Sequence, residues 1–560
     1  MSPPSPNTDQ SSGAVSKSAE IARGYDTDSA AVVLGAVVVG GNADPTALVK
    51  IALAMFNRHG LVAGATGTGK TKTLQLIAEQ LSTAGVPVLI PDIKGDLSGM
   101  SIPGRPGDRI TQRAADTGDP WQPSAFPVEY LTLAGQGNGV PIRATVDSFG
   151  PILLSKVLAL NDTQESTLGL IFHFADQRHL PLLDIKDLRA VIGHLTGPQG
   201  KADLQELGGV SSATAGVILR AVTNLEAQGG DLFFGEPQMD VADLLRTAPD
   251  GRGIVSLLEA TDLQARPELF STFLMWLLAE LFEVLPEVGD LDKPKLVFLF
   301  DEAHLLFTDA SKAFRAAVQQ TVKLIRSKGV GVFFCSQLPT DLPGPVLSQL
   351  GGRIQHALRA FTPDDQKALS ATVRTYPTSK VYDLQSALTS LATGEAIVTV
   401  LSESGAPTPV AWTRMRAPRS LMGPAGPEAV AAAVAGSPLS AKYGQSIDRE
   451  SAYELLTGRL AAPSATPSSS SNPQEPSDRY DGLPPVSGEF PSPLSPPSGD
   501  GPWLTGTPSS PEPSAESASG GFLGDMMASP VVASFMRSLG TSLGGALGRS
   551  VFGTRTRRRR

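Results

Sequence analysis

A single cysteine, Cys335, excludes an intramolecular disulfide and any cysteine-rich zinc site. There is no excess of positive charge: the formal net charge of −9 argues against a chain that coats nucleic acid by bulk electrostatics, although it leaves room for a ring whose pore is basic and whose exterior is acidic. No basic strip interleaved with aromatics, as used to stack bases, appears in the core, and no DNA-reading module is recognisable. The start, Met1-Ser2-Pro3-Pro4, lacks the features of a secretory leader, so the expected location is cytoplasmic. Leu269 to Leu285 is the longest apolar stretch, but Glu280 and Glu283 interrupt it. That reads as a core helix, and no transmembrane segment is expected.

What is plentiful is glycine and proline, 57 and 46 of 560 residues, and both cluster. Residues 1–28 are polar and read as disordered. Residues 437–520 read as a flexible linker, densest in Pro, Ser and Gly after Ala461. Residues 521–560 regain apolar spacing (Leu539, Leu543, Leu547) and end on Arg555 and Arg557 to Arg560. This amphipathic tail is a possible docking segment for a protein partner.

Between these tracts, residues 29–436 alternate short apolar runs with helical periodicity. Ala30–Val39, Gly60–Ala63, Val86–Ile90, Gly253–Leu258, Lys295–Phe300, Val330–Cys335, Ile354–Leu358 and Glu395–Leu401 are the predicted strands. Continuous apolar runs of this length suit a mostly parallel sheet covered by helices on both faces, an α/β fold. Strand signals vanish over about 155–248, where helix-like spacing (Leu188, Val191, Ile192; Ile218, Val222, Leu225) predicts a helical insertion.

Three strand ends carry chemistry. Gly64-Ala65-Thr66-Gly67-Thr68-Gly69-Lys70-Thr71 fits the phosphate-loop pattern between an apolar strand and an amphipathic helix. Backbone N–H groups in such a loop wrap phosphates, Lys70 reaches the β- and γ-phosphates, and the Thr71 hydroxyl ligates Mg²⁺. Thr73 is expected as a further nucleotide contact. The run Lys295–Phe300 ends in Asp301-Glu302: Asp301 is expected to hold Mg²⁺ through water, and Glu302 to polarise the attacking water. Val330–Ser336 leads to Gln337, an amide suited to the γ-phosphate or that water. Cys335 reads as a small buried hydrophobe, and Asp92 and Lys94 either face the same crevice or close a turn. The expected cofactors are therefore ATP and Mg²⁺, and the expected enzyme is an ATP hydrolase.

At these blocks the chain resembles the HerA–FtsK group of RecA-like motor ATPases, most closely the HerA-like bacterial family of the YjgR type. The carriers are His59–Thr71, Asp92–Gly99, Phe233–Pro237, Asp301–His304 and Gly352–Arg359. The resemblance implies a RecA-like core and a homo-oligomeric, hexameric ring, with an arginine donated across the subunit interface. Arg353 and Arg326 are the candidates for it. It further implies action on double-stranded DNA; remodelling of protein partners, or a slow nucleotide-dependent switch, are the alternatives. Archaeal members carry a β-barrel before the core, whereas about 28 polar residues precede the first predicted strand here, so DNA-end processing is not implied. Asp-Glu-Ala-His also marks a class of RNA helicases, but no second RecA-like half follows Leu401.

Overall fold

The computed structural model describes residues 17–133, 137–206, 211–227, 229–259, 267–308 and 310–461. One twelve-stranded sheet organises them, in the order β2-β1-β12-β11-β10-β3-β9-β8-β4-β7-β5-β6. In chain order the strands are β1 Ala31–Val39, β2 Asn42–Ala52, β3 Gly60–Ala63, β4 Val88–Asp92, β5 Val128–Leu133 and β6 Val140–Ile142. There follow β7 Val255–Glu259, β8 Leu296–Phe300, β9 Val330–Ser336, β10 Gly352–Gln355, β11 Glu395–Thr399 and β12 Ala411–Met415. The run from β10 to β6 is parallel throughout, while β11, β12, β1 and β2 extend it antiparallel. This is the RecA-like P-loop arrangement, an α/β fold.

The predicted runs that became parallel strands are buried on both faces: every residue of β3, β4, β8 and β9 is buried. One face is covered by the helix Lys70–Thr83 through Leu74, Ile77, Ala78 and Leu81. The other is covered by the helix Pro267–Val284, whose Phe273, Trp276 and Leu277 are almost fully enclosed. Each such side chain contributes about 1.5–3 kcal/mol on leaving water. Among the described residues, no helix is long and apolar enough to cross a membrane.

Between β6 and β7 the chain is helical: Val146–Val157, Asp162–Gln177, Ile185–Thr196, Lys201–Glu206 and Ser212–Ala227. Asn161 and Asp184 open two of these helices with capping boxes.

Two expectations of disorder are corrected. Residues 17–23 form a helix, and Ile21, Ala22 and Tyr25 are buried. The Tyr25 hydroxyl reaches the carbonyl oxygens of Val398 (2.8 Å) and Pro409 (2.5 Å), pinning the segment to the sheet. Residues 437–461 are likewise ordered, with helices Pro438–Tyr443 and Ala452–Ala461. They are held by long-range bonds to the helical insertion: Ser451 to Asp187, and Tyr443 to Asp243, both at 2.5 Å. The linker beyond residue 461 and the tail 521–560 lie outside the described residues.

Candidate functional site

Because β3, β9, β8 and β4 are parallel neighbours, their carboxyl ends emerge on one edge of the sheet, where open α/β folds bind ligands. There they bring together Gly64–Thr71, Gln337, Asp301-Glu302 and Asp92–Lys94.

The phosphate loop is fixed at both ends by its neighbours. Gly64 N–H points at the Ser336 and Gln337 carbonyls (3.3 and 3.2 Å), Ala65 N–H donates to Ala357 O (2.9 Å), and Gly394 N–H donates to Thr68 O (3.0 Å). Gly64 has φ 151° and a Cβ there would lie 2.6 Å from the His356 Cβ, so only glycine fits. Thr66 and Gly67 form the exposed crest, and the Gly67 Cβ position faces open space. Gly69 is left-handed and opens the helix that begins at Lys70, so the helix N-terminus points at the crest. The Lys70 ammonium bridges the Gly64 and Ala65 carbonyls at 2.7 and 3.3 Å. Thr71 follows it, half-buried.

Thr73 departs from expectation. It is 2% exposed, and its hydroxyl lies 2.9 Å from His356 Nε2 on the core side of the helix. His356 Nδ1 lies 2.8 Å from the Glu395 carbonyl, which can only accept, so Nδ1 carries the proton and Nε2 accepts from Thr73. Burial lowers the His356 pKa to about 4, keeping the ring neutral. Three residues past the lysine, the helical turn carries Thr73 away from the phosphates.

Asp301 and Glu302 end β8. The Asp301 carboxylate accepts the Glu302 N–H (2.9 Å), with the buried Cys335 of β9 close by. Burial pushes the Asp301 pKa up, and the adjacent Glu302 charge adds to the effect. Burial likewise pushes the Cys335 thiol up, which leaves it a buried, un-ionised group. Glu302 sits at φ 48°, left-handed backbone that a non-glycine residue adopts at a cost of about 1–3 kcal/mol. Its carboxylate is 3.4 Å from Lys94 Nζ and 3.4 Å from His304 Nδ1. Partial burial alone would pull the Lys94 ammonium down, but Asp301 and Glu302 hold it above its ordinary value. Asp92 instead closes the turn, accepting N–H groups from Gly95, Asp96 and Leu97. Gln337 is exposed beside Gly64.

The two arginines expected to act across an interface lie apart from this edge. Arg326 precedes β9, at the opposite edge of the sheet, and pairs with Asp290 at 3.6 Å. Arg353 pairs with Leu61 across β10 and β3, below the loop, and its Nη1 is buried with no partner among the described residues.

The residues suit a magnesium nucleotide. Among the described residues no cluster of three or more His, Cys, Asp or Glu could itself hold a metal. A site built from one hydroxyl, Thr71, and one carboxylate, Asp301, matches Mg²⁺, which takes few protein ligands and keeps phosphate oxygens and water.

The fold and this edge define a RecA-like P-loop NTPase. The family model described as Helicase HerA-like C-terminal matches residues 39–560, and the chain belongs to that family. Among solved structures, the unbound bacterial conjugative coupling protein TrwB shares 16% identity at a TM-score of 0.46, covering 73% of this chain and 94% of that one. TrwB in complex with ADP and Mg²⁺ shares 15% at a TM-score of 0.47, covering 73% and 93%. VirB4 of Thermoanaerobacter pseudethanolicus shares 15% at a TM-score of 0.44, covering 70% and 97%. Comparison with curated proteins gives no match.

Proposed function

We propose that this chain binds ATP with Mg²⁺ at Gly64–Thr71, hydrolyses it, and works as a hexameric ring that moves double-stranded DNA. One observation carries the catalytic part: the phosphate loop, Gln337 and the strained Glu302 beside half-buried Asp301 converge at adjacent carboxyl ends of β3, β9 and β8. Strain of this kind persists where the surroundings over-determine it, and it clusters at active sites.

In this reading Lys70 swings from its two carbonyl partners to the β- and γ-phosphates. Thr71 and Asp301 hold the ion, whose role is to neutralise developing phosphate charge. Glu302 accepts the proton of the attacking water, and Gln337 orients that water. Lys94 compensates the paired carboxylates while the proton moves. Arg353 is the better candidate to act in trans: a buried guanidinium nitrogen with no partner is costly, and an anion from a neighbouring subunit would relieve that cost. Arg326 already has Asp290.

The DNA part is supported by family membership. It is tested by measuring ATP hydrolysis with and without double-stranded DNA. Stimulation of several-fold is expected; identical rates at saturating DNA would remove DNA from the reading and leave protein remodelling or a nucleotide switch.

A further inference from the structure

The edge that holds the phosphate loop also carries an arginine outside the assignments above. Arg359 follows β10 and is exposed, with Nη2 3.5 Å from the Thr66 carbonyl at the crest of the loop. Its backbone is fixed on both sides. Upstream, His356 N–H donates to Ala63 O (2.7 Å) and Ala65 N–H donates to Ala357 O (2.9 Å), so β10 is clipped to the loop. Downstream, the Asp365 carboxylate accepts the N–H groups of both Phe361 and Thr362, at 3.0 and 2.9 Å. A long cationic side chain therefore stands on a rigid lip over the crest.

The other cations near the loop are engaged. Lys72 is spent on Gln75 and the Asp96 carbonyl, Lys94 on Glu302, and Arg113 on the carbonyls of Thr393 and Gly394. Arg359 has no acidic partner among the described residues. In a phosphate loop the backbone N–H groups cradle the phosphates from below and the lysine reaches the β- and γ-phosphates, so a second cation standing over the crest faces the same phosphate chain from the other side. A planar guanidinium suits a phosphate, which it grips with two donors.

We infer that Arg359 contacts the terminal phosphate of its own subunit's nucleotide, closing over the crest of the loop in cis. The inference rests on the nucleotide reading above and is separable from it. Arg359 makes no buried contact, so its substitution leaves the fold intact.

The test is titration of wild type, Arg359→Ala and Arg359→Lys with a non-hydrolysable ATP analogue and with ADP, both with Mg²⁺. For Arg359→Ala the triphosphate affinity is expected to fall roughly tenfold or more, as for a lost charge-assisted phosphate bond, while ADP affinity stays within about twofold. Arg359→Lys, which keeps the charge and loses the fork, should fall between. Equal losses for both nucleotides, or no loss for either, overturn the inference while the nucleotide reading stands. A wild type that binds neither nucleotide overturns both. Mixing Arg359→Ala with Lys70→Ala separates cis from trans. No recovery of hydrolysis is expected, because both lesions disable their own subunit's site. Recovery would move Arg359 across the interface and refute the cis placement.

Discussion

Thr73→Val separates two readings of one residue. The sequence places Thr73 among the nucleotide contacts; the structure turns its hydroxyl to His356, 2.9 Å away, between side chains that are 2% and 0% exposed. Valine keeps the branched shape, so no cavity opens. What is lost is the donor to Nε2, which becomes a buried acceptor with nothing to accept. The cost of such an orphan is about 1–3 kcal/mol. Urea denaturation should show that loss as a lower midpoint with an unchanged slope, since the same surface is exposed on unfolding. Affinity for ATP, read by titration with a fluorescent analogue, should stay within about twofold. Unchanged stability with a tenfold loss of ATP affinity would refute the reasoning, because the hydroxyl would then be serving the nucleotide.

Three further outcomes are expected. Lys70→Ala abolishes productive ATP binding, whereas Glu302→Gln binds ATP and turns over at least a hundredfold more slowly; equal loss of affinity in both folded variants would contradict the division of roles. Mixing Lys70→Ala with Arg353→Ala restores part of the hydrolysis, since some interfaces pair an intact lysine with an intact arginine; activity at full rate from a monomer, seen by light scattering, would end the ring. His59 and His356 are both lowered by burial to about 4, so the unfolded chain takes up their protons first. Their contribution, up to about 3 kcal/mol each, is present above pH 6.5 and is lost as the pH falls towards 4. Glu280, raised by burial to about 7, acts in the opposite sense, its contribution being lost as the pH rises through 7. Glu280→Gln should therefore raise the urea midpoint at pH 8, and in that variant stability should fall steadily from pH 6.5 to 4; a flat profile would argue against neutral buried histidines.

Most of the strands visible in the sequence are those buried on both faces. Leu296–Phe300 and Val330–Ser336 are apolar almost throughout because helices cover both sides, and their following residues, Asp301-Glu302 and Gln337, were legible for the same reason. The strands that escaped carry polar residues whose partners are distant in sequence. Glu129 in β5 is buried only because Arg246 meets it at 2.6 Å, and Arg414 in β12 is balanced by Glu395 and Asp116. β6 has three residues, one of them Pro141, too few for any periodicity. Residues 17–25 and 437–461 looked like solvent-loving chain, since their order depends on Tyr25 and Tyr443 finding partners far along the chain. Arg359 was visible within a family block, yet spacing gives no sign that a residue so far along the chain from Thr66 lies against it. Only the clip between Ala65 and Ala357 does that.

The two margins of the sheet have a bearing on how copies of this chain meet. A strand at a margin presents bare N–H and C=O groups, an invitation to pair with another chain. Here one margin is β2, which carries Pro45 and a charged, partly exposed sequence through Asp44 and Lys50. The other is the short β6 with Pro141 at its centre. Proline withholds the donor that a new ladder needs, and a three-residue strand offers almost no template. The sheet is thus closed to lengthening at both sides. Crowding many copies together, as a ring does, then carries little danger of their sheets fusing into a continuous ribbon.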